Sequence, residues 1–550
     1  MFTYLNKITK DRYLLIFIGL VVALVIFNIL WIIKDQSPPL WDMAAHSARS
    51  VDFGKFIQGF HPRAILNYVS IYPPFTYLLT GSLYSILGFS EDIPQFSLLI
   101  YLIVYLVSIY GIAHKLFSRK SVALFAVFLA SVYPLLVHFS RIYDLDFPLT
   151  ALLALSLYAL LRTGYFTNLK WSVALGVIVA LGMLTKWTFV IFFLGPLVVY
   201  LFAFKKTNDS LAENELSRKV FRRNLLMAVM VALVIAVPWY WQNFFDVLKS
   251  SIATRNNVFS VPYENIISIG NINYYILKTI KSVTWPLALL MLTGIIFSFL
   301  RHKKEDWFLL SWILLPYFLM TFLIYSKESR YFLPEYPALA IISAGTILSL
   351  KKIWLKRTLV IGGVIIGIFI WIETSWGILF LPWKFYQQIG FFRTYGYFVP
   401  STEDVGYGFT RPTQYQTAIK EIPRAILADR SKRKVSAESP SKILVVPNSI
   451  FLTAAQIQFY GNLIGLKADY SLSSKVRVKD FRKFLPQADY IITKTGDQGP
   501  SIWSPHLKDI QEESENPESE IFSKYELIDT WPLNGIEAEN QTARLYRRKD

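Results

Sequence analysis

Long apolar runs recur along the first 380 positions, separated by short polar loops. The first covers 13–33 and follows Lys7, Lys10 and Arg12. It is too long for a signal-peptide core and no A-x-A site follows, so it reads as a retained first span. Further runs lie near 73–89, 96–113, 121–139, 147–163, 171–185, 187–204, 225–243, 283–300, 307–325, 335–350 and 358–380. A helix crossing the hydrocarbon core needs about 20 residues, with about 17 as a minimum. The run 73–89 is short and opens Tyr72-Pro73-Pro74, which predicts a re-entrant or boundary-packed helix. That leaves about eleven crossings, the weakest being the two short spans that meet at Lys186.

Loop charge orients these spans. The basic loops 114–120, 205–223, 301–304 and 351–357 are expected in the cytoplasm. The loops 34–95, 140–146, 244–282 and 326–334 then fall outside, together with the tail beyond 380. From 384 the pattern changes. Residues 429–441 read as a solvated linker, 442–446 and 490–494 as short buried strands, and 450–460 as a helix between them. The expected fold is mainly α: a polytopic membrane helical bundle over 1–383 with a small extracytoplasmic α/β domain over 384–550.

Composition supports this. Hydrophobic residues make up 54% and charged residues 17%, against roughly 25% charged in soluble domains. Mean hydropathy is +0.39, and aromatics reach 16%, which suits lipid–water boundaries. A soluble enzyme, a disordered chain and a nucleic-acid binder all fit badly. The net charge of +18 resides largely in short loops and acts as a topology signal. Cysteine is absent, which excludes disulfides, thiolate metal sites and a Cys nucleophile. The six histidines show no zinc-protease spacing.

Three outer loops carry the candidate chemistry. Asp42, His46 and Arg49 stand at i, i+4 and i+7 of a helical pattern over 43–60, so one face presents a carboxylate, an imidazole and a guanidinium. Asp42 reads either as a helix N-cap or as a functional acid. In the second loop Arg141, Asp144 and Asp146 open a span, either as an Arg141–Asp144 boundary pair or as a site. The third loop offers Lys327 and Arg330 where few cations are expected, which points to a phosphate or pyrophosphate. Lys186 fits the same argument, or snorkels to the interface.

The order of these features resembles the GT-C superfamily of integral-membrane glycosyltransferases, in the branch of protein O-mannosyltransferases and lipid A aminoarabinose transferases. The matching pieces are Trp41-Asp42-x-x-x-His46, Tyr72-Pro73-Pro74-Phe75, Arg141-x-x-x-x-Asp146, Lys186, and Arg330-Tyr331-x-x-Pro334-x-x-Pro337-Ala338. The resemblance implies transfer of a sugar from a polyprenyl-phosphate donor to an extracytoplasmic glycan, lipid or protein acceptor, at a bilayer and without nucleic acid. It implies Asp42 as general base and Asp146 as an acid shaping the site, with His46 beside them. Arg330 and Lys186 would hold the donor phosphate, with Lys327, Arg141 and Tyr72 as further contacts. A divalent metal on Asp42, Asp146 and His46 is allowed but not required. Asp42-Met43 departs from the Asp-Glu of protein mannosyltransferases, and Tyr72 stands where aminoarabinose transferases carry a lysine. The competing readings are a transporter or flippase of a lipid-linked sugar, which lacks support from internal repeats, and an O-antigen polymerase or ligase.

Overall fold

The computed structural model describes residues 11–68, 70–204, 215–253, 265–376, 412, 418–449, 452–478, 481–499, 506–516, 519–533 and 541–549. The end of the 358–380 run, part of the 205–223 loop, the boundary at 384 and the first residues of the helix expected over 450–460 lie outside them. In chain order the helices are α1 (Arg12–Lys34), α2 (Trp41–Gln58), α3 (Phe75–Leu87), α4 (Ile93–Phe117), α5 (Lys120–Val132), α6 (Pro134–Phe139), α7 (Asp146–Arg162), α8 (Leu169–Met183), α9 (Phe189–Ala203), α10 (Glu215–Ala253), α11 (Ile269–Val283), α12 (Trp285–Arg301), α13 (Lys304–Phe322), α14 (Tyr336–Leu348) and α15 (Ile353–Trp376). There follow α16 (Glu421–Lys432), β1 (Ser441–Val445), α17 (Ala454–Leu463), β2 (Ala468–Asp469), α18 (Ser471–Val478), β3 (Tyr490–Lys494), α19 (Leu507–Glu515), β4 (Tyr525–Leu533) and β5 (Gln541–Arg548).

The chain forms two compact units that are not contiguous in sequence. One gathers 1–32, 66–76 and 95–411; the other gathers 33–65, 77–94 and 412–550. The first is helical. Five segments among the described residues are long and apolar enough to cross a membrane: Arg12–Lys34, Ile93–Phe117, Glu215–Ser250, Ser329–Leu348 and Ile353–Trp376. Five shorter apolar helices accompany them: α3 of the second unit, and α5, α8, α9 and α12 of the first. Helix outlines follow local chemistry. Tyr133 precedes Pro134 and adopts an extended ψ of 118°, so the apolar run 121–139 divides into α5 and α6. Asn168 caps α8 by accepting from the Trp171 N–H at 3.2 Å. A Cβ at Gly176 would lie 2.4 Å from the Ala228 carbonyl oxygen, so α8 and α10 approach backbone to backbone.

The described residues of the 244–282 loop are largely helical. Helix α10 continues to Ala253, and α11 starts at Ser268, whose side chain accepts from the Asn271 N–H at 3.2 Å. On α11 the apolar Ile269, Ile276 and Leu277 are exposed, whereas Asn271, Tyr275, Thr279 and Ser282 are buried. That reverses the pattern of a helix in water and matches apolar surroundings.

The second unit is built on a five-stranded sheet of order β2-β1-β3-β5-β4. Strands β2, β1 and β3 are parallel, and β5 and β4 add antiparallel. Residues alternate between faces, as strand geometry requires. Ile443, Val445, Tyr490 and Ile492 pack with Ile422, Ile426, Ile457 and Phe459, while Leu444, Val446 and Ile491 pack with Leu472, Leu507 and Ile510. Ala48 and Val51 of α2 and Tyr84 of α3 join the first of these cores, so the first-loop helices are part of this unit. The close crossing of α2 and α3 needs glycine on both sides: a Cβ at Gly54 would meet Tyr84 Cβ at 2.8 Å, and one at Gly81 would meet the Gly54 nitrogen at 2.9 Å. The helix expected over 450–460 begins at Ala454, because Thr453 and Gln456 form a capping box.

The 429–441 segment is only partly a solvated linker. Asp429 and Arg430 are buried at the end of α16. Asp429 accepts from the Tyr490 hydroxyl at 2.7 Å and pairs with Arg547, and Arg430 donates to the carbonyls of Ser436 and Ser439 at 2.7 and 2.6 Å. Charge in a sequence run reads as exposure, but buried charges that find partners are stable inside.

Candidate active site

The second and third loops meet in the helical unit. Asp146 opens α7 at its first residue and is buried. Its Oδ1 accepts from Lys186 Nζ at 2.6 Å. Lys186 lies in the break between α8 and α9, where its own N–H still bonds back to the Gly182 carbonyl at 3.2 Å. The Tyr72-Pro73-Pro74-Phe75 segment docks on this break, with the Phe75 N–H donating to the Leu184 carbonyl at 2.9 Å. Tyr72 itself is half-buried there, and its N–H donates to Ser70 Oγ at 3.1 Å.

Arg330 comes from a 3-10 turn, Ser329–Glu335, packed on α7. Its guanidinium donates to Asp144, lies 2.7 Å from Glu328 Oε2, and stands 3.9 Å from Asp146 Oδ2. Tyr331 ties the turn down by donating from its hydroxyl to Glu328 Oε1 at 2.9 Å. The Tyr331 ring faces both cations, with Lys186 Nζ at 5.2 Å and the Arg330 guanidinium at 5.6 Å from its centroid. Three carboxylates thus meet two cations in a buried cluster. Among the described residues Lys186 forms one hydrogen bond with its three donors, and 12% of its side chain is accessible against 8% for Arg330, which makes it the more accessible cation of the pair.

Two expected contacts lie elsewhere. Lys327 is buried and turned onto the last carbonyls of α13, donating to Thr321 at 2.9 Å and to Met320, under the Tyr275 ring at 5.4 Å. Burial pulls its ammonium down to about 8. It terminates a helix, as cations at helix C-termini do. Arg141 does not pair with Asp144. Its Nε donates to Asn28 Oδ1 at 2.5 Å, and its guanidinium sits 5.3 Å from the Trp31 ring and 5.8 Å from Trp371. The two terminal nitrogens of Arg141 have no hydrogen-bond partner among the described residues. Burying an uncompensated ion costs several kcal/mol, and each indole face returns about 0.5–2 kcal/mol.

Asp42 and His46 belong to the other unit. Asp42 lies inside the first turn of α2, whose N-cap is Leu40 with no side-chain cap, so the capping reading of Asp42 fails. His46 is buried, its Nδ1 2.8 Å from the Tyr77 hydroxyl and 3.5 Å from Arg49. No group of three or more His, Asp or Glu side chains that could hold a metal ion occurs among the described residues. The expectation of a metal on Asp42, Asp146 and His46 therefore finds no assembled ligand set. Glu328 is the residue that motif reading passed over; an acid two positions before an expected anion-binding arginine was the available signal.

Residues 72–241 match the family model described as dolichyl-phosphate-mannose-protein mannosyltransferase. Along almost its whole length the chain superposes on ArnT from Cupriavidus metallidurans in the apo state, with a TM-score of 0.57, 14% identity and 97% of each chain covered. The chain shares the fold of this ArnT. The fold is matched again by that ArnT bound to undecaprenyl phosphate, with a TM-score of 0.52, 15% identity and 98% of each chain covered. The Archaeoglobus fulgidus oligosaccharyltransferase tethered with an acceptor peptide superposes at TM-score 0.51 and 13% identity, over 88% of this chain and 69% of its own. No curated protein sequence matches.

Proposed function

We propose that this chain transfers a sugar from a polyprenyl-phosphate donor to an acceptor hydroxyl on the extracytoplasmic side. The observation that carries the reading is the Asp146–Lys186–Arg330 cluster, where a reachable ammonium is held 2.6 Å from a buried carboxylate. Its occurrence on a fold shared with a protein bound to undecaprenyl phosphate supports a lipid-phosphate ligand. A phosphate bonded to an anomeric carbon leaves readily once cations neutralise the charge that develops on its oxygens. Lys186 contributes to this through the donors that its pairing with Asp146 leaves, and Arg330, held in place by Asp144 and Glu328, stands beside it. Tyr72 lies on the segment docked beside Lys186 and lines the same region. Asp42 takes the proton from the acceptor hydroxyl, and a single displacement inverts the anomeric centre.

The test separates binding from chemistry. Asp42→Asn is expected to insert and to bind undecaprenyl phosphate normally while losing sugar transfer. Lys186→Ala is expected to weaken undecaprenyl phosphate binding at least tenfold in detergent-solubilised full chain. Wild-type turnover by the first variant removes Asp42 as the base, and unchanged affinity in the second removes Lys186 from the donor site.

A further inference from the structure

In the Lys186–Arg330 cluster every cation faces a carboxylate; Arg141 is a buried cation without one among the described residues. It is 1% exposed, and its side chain donates from Nε to Asn28, leaving both terminal nitrogens without a partner among the described residues. Its walls are Trp31 and Trp371. The Trp31 indole N–H donates to the Ser375 carbonyl at 3.1 Å, which fixes the end of α15 beside this wall. The Ser375 hydroxyl is fully buried and has no partner among the described residues either. Asn28 and Trp31 of α1, Arg141 of the loop before α7, and Trp371 and Ser375 of α15 belong to one compact unit. A guanidinium fork with both terminal NH2 groups open matches the oxygens of a phosphate, and the Ser375 hydroxyl belongs to the residue whose carbonyl holds the same Trp31.

We propose that Arg141 and Ser375 form a second oxyanion site, walled by Trp31 and Trp371, that takes a phosphate-type group independently of the Lys186–Arg330 cluster. The proposal goes beyond the donor reading above, because none of its residues contacts Asp144, Asp146, Lys186 or Arg330 among the described interactions. Phosphate arrives here either as the headgroup of a surrounding anionic lipid or on a separate soluble or acceptor molecule.

Isothermal titration of inorganic phosphate into the full chain, alone and saturated with undecaprenyl phosphate, tests it. Phosphate binding is expected to persist under saturation. Arg141→Gln is expected to lower phosphate affinity at least tenfold and leave undecaprenyl phosphate affinity within twofold. Should that variant fail to fold, Ser375→Ala is expected to lower phosphate affinity three- to tenfold. Repeating the titration in phosphatidylglycerol and phosphatidylcholine nanodiscs identifies the source: suppression by phosphatidylglycerol alone assigns the site to a lipid headgroup, and equal binding assigns it to a non-lipid phosphate. Loss of phosphate binding under saturation, equal weakening of both probes by Arg141→Gln, or no effect of the variants overturns the proposal. Failure of wild-type chain to bind undecaprenyl phosphate strikes the donor reading instead and leaves the phosphate titration readable.

Discussion

Arg330 shows how much one side chain can hold together. Its guanidinium meets Asp144 and Glu328, and all three groups are largely removed from solvent. Removing one partner of a buried ionic group leaves the others uncompensated, at about 3–5 kcal/mol. Arg330→Ala is therefore expected to lower the unfolding midpoint of the detergent-solubilised protein clearly, and Asp144→Asn to do so less, because Glu328 remains on Arg330. Lys494, at the end of β3, gives a pH-dependent counterpart. It is buried with its ammonium on Gln541 and on the Thr495 carbonyl at 3.5 Å, and burial pulls it down to about 8 from 10.5. The unfolded chain binds the extra proton between those values, so stability rises with pH from about 8 to about 10.5. Lys494→Met is expected to flatten that slope in unfolding midpoints measured across this range. From sequence, Asp146, Lys186 and Arg330 stand out as charges beside apolar runs. Asp144 stands out with them, but its pairing with Arg330 does not, since it joins residues 186 positions apart; Glu328, two positions before Arg330, was passed over.

Among the elements, the crossing of α2 and α3 governs where the Asp42-bearing helix sits on its unit. Gly54→Val puts side-chain atoms into Tyr84, where a Cβ alone already lies at 2.8 Å. Overpacking of this kind costs about 1–3 kcal/mol, and the expected result is reduced transfer activity with donor affinity retained, measured on one preparation. Hydrophobic periodicity located these helices well, because an apolar run must be buried in protein or lipid whatever its neighbours. The runs at 13–33 and 96–113 correspond to α1 and α4. Periodicity misjudged 244–282, where α10 and α11 carry polar residues inward, and it overlooked β4 and β5, whose solvent-facing residues dilute the strand pattern.

For the whole molecule, charge asymmetry predicts orientation. A reporter fused after Lys206 is expected to read cytoplasmic and one after Arg424 extracytoplasmic; the reverse pair of readings inverts the topology and moves the proposed chemistry to the cytoplasm. The division into units was beyond sequence patterning. Residues 33–65 and 77–94 are interleaved with the helical unit along the chain, yet Ala48, Val51 and Tyr84 complete the core of the C-terminal sheet. Nothing local marks that partnership, because the apolar side of α2 suits a lipid interface as well as a protein core.

What the amino-acid order determined by itself is the class of molecule, the position of most helices and strands, and which ionisable residues stand where charge is expensive. Those properties follow from local hydropathy and from the cost of burying charge, both of which are summed along the chain. Tertiary structure alone decided which cations are spoken for. It set Lys186 and Arg330 against carboxylates, turned Lys327 onto helix carbonyls, and left Arg141 between two indoles with its terminal nitrogens open. Neutralisation depends on distances of a few ångströms between segments far apart in sequence, and only packing sets those distances.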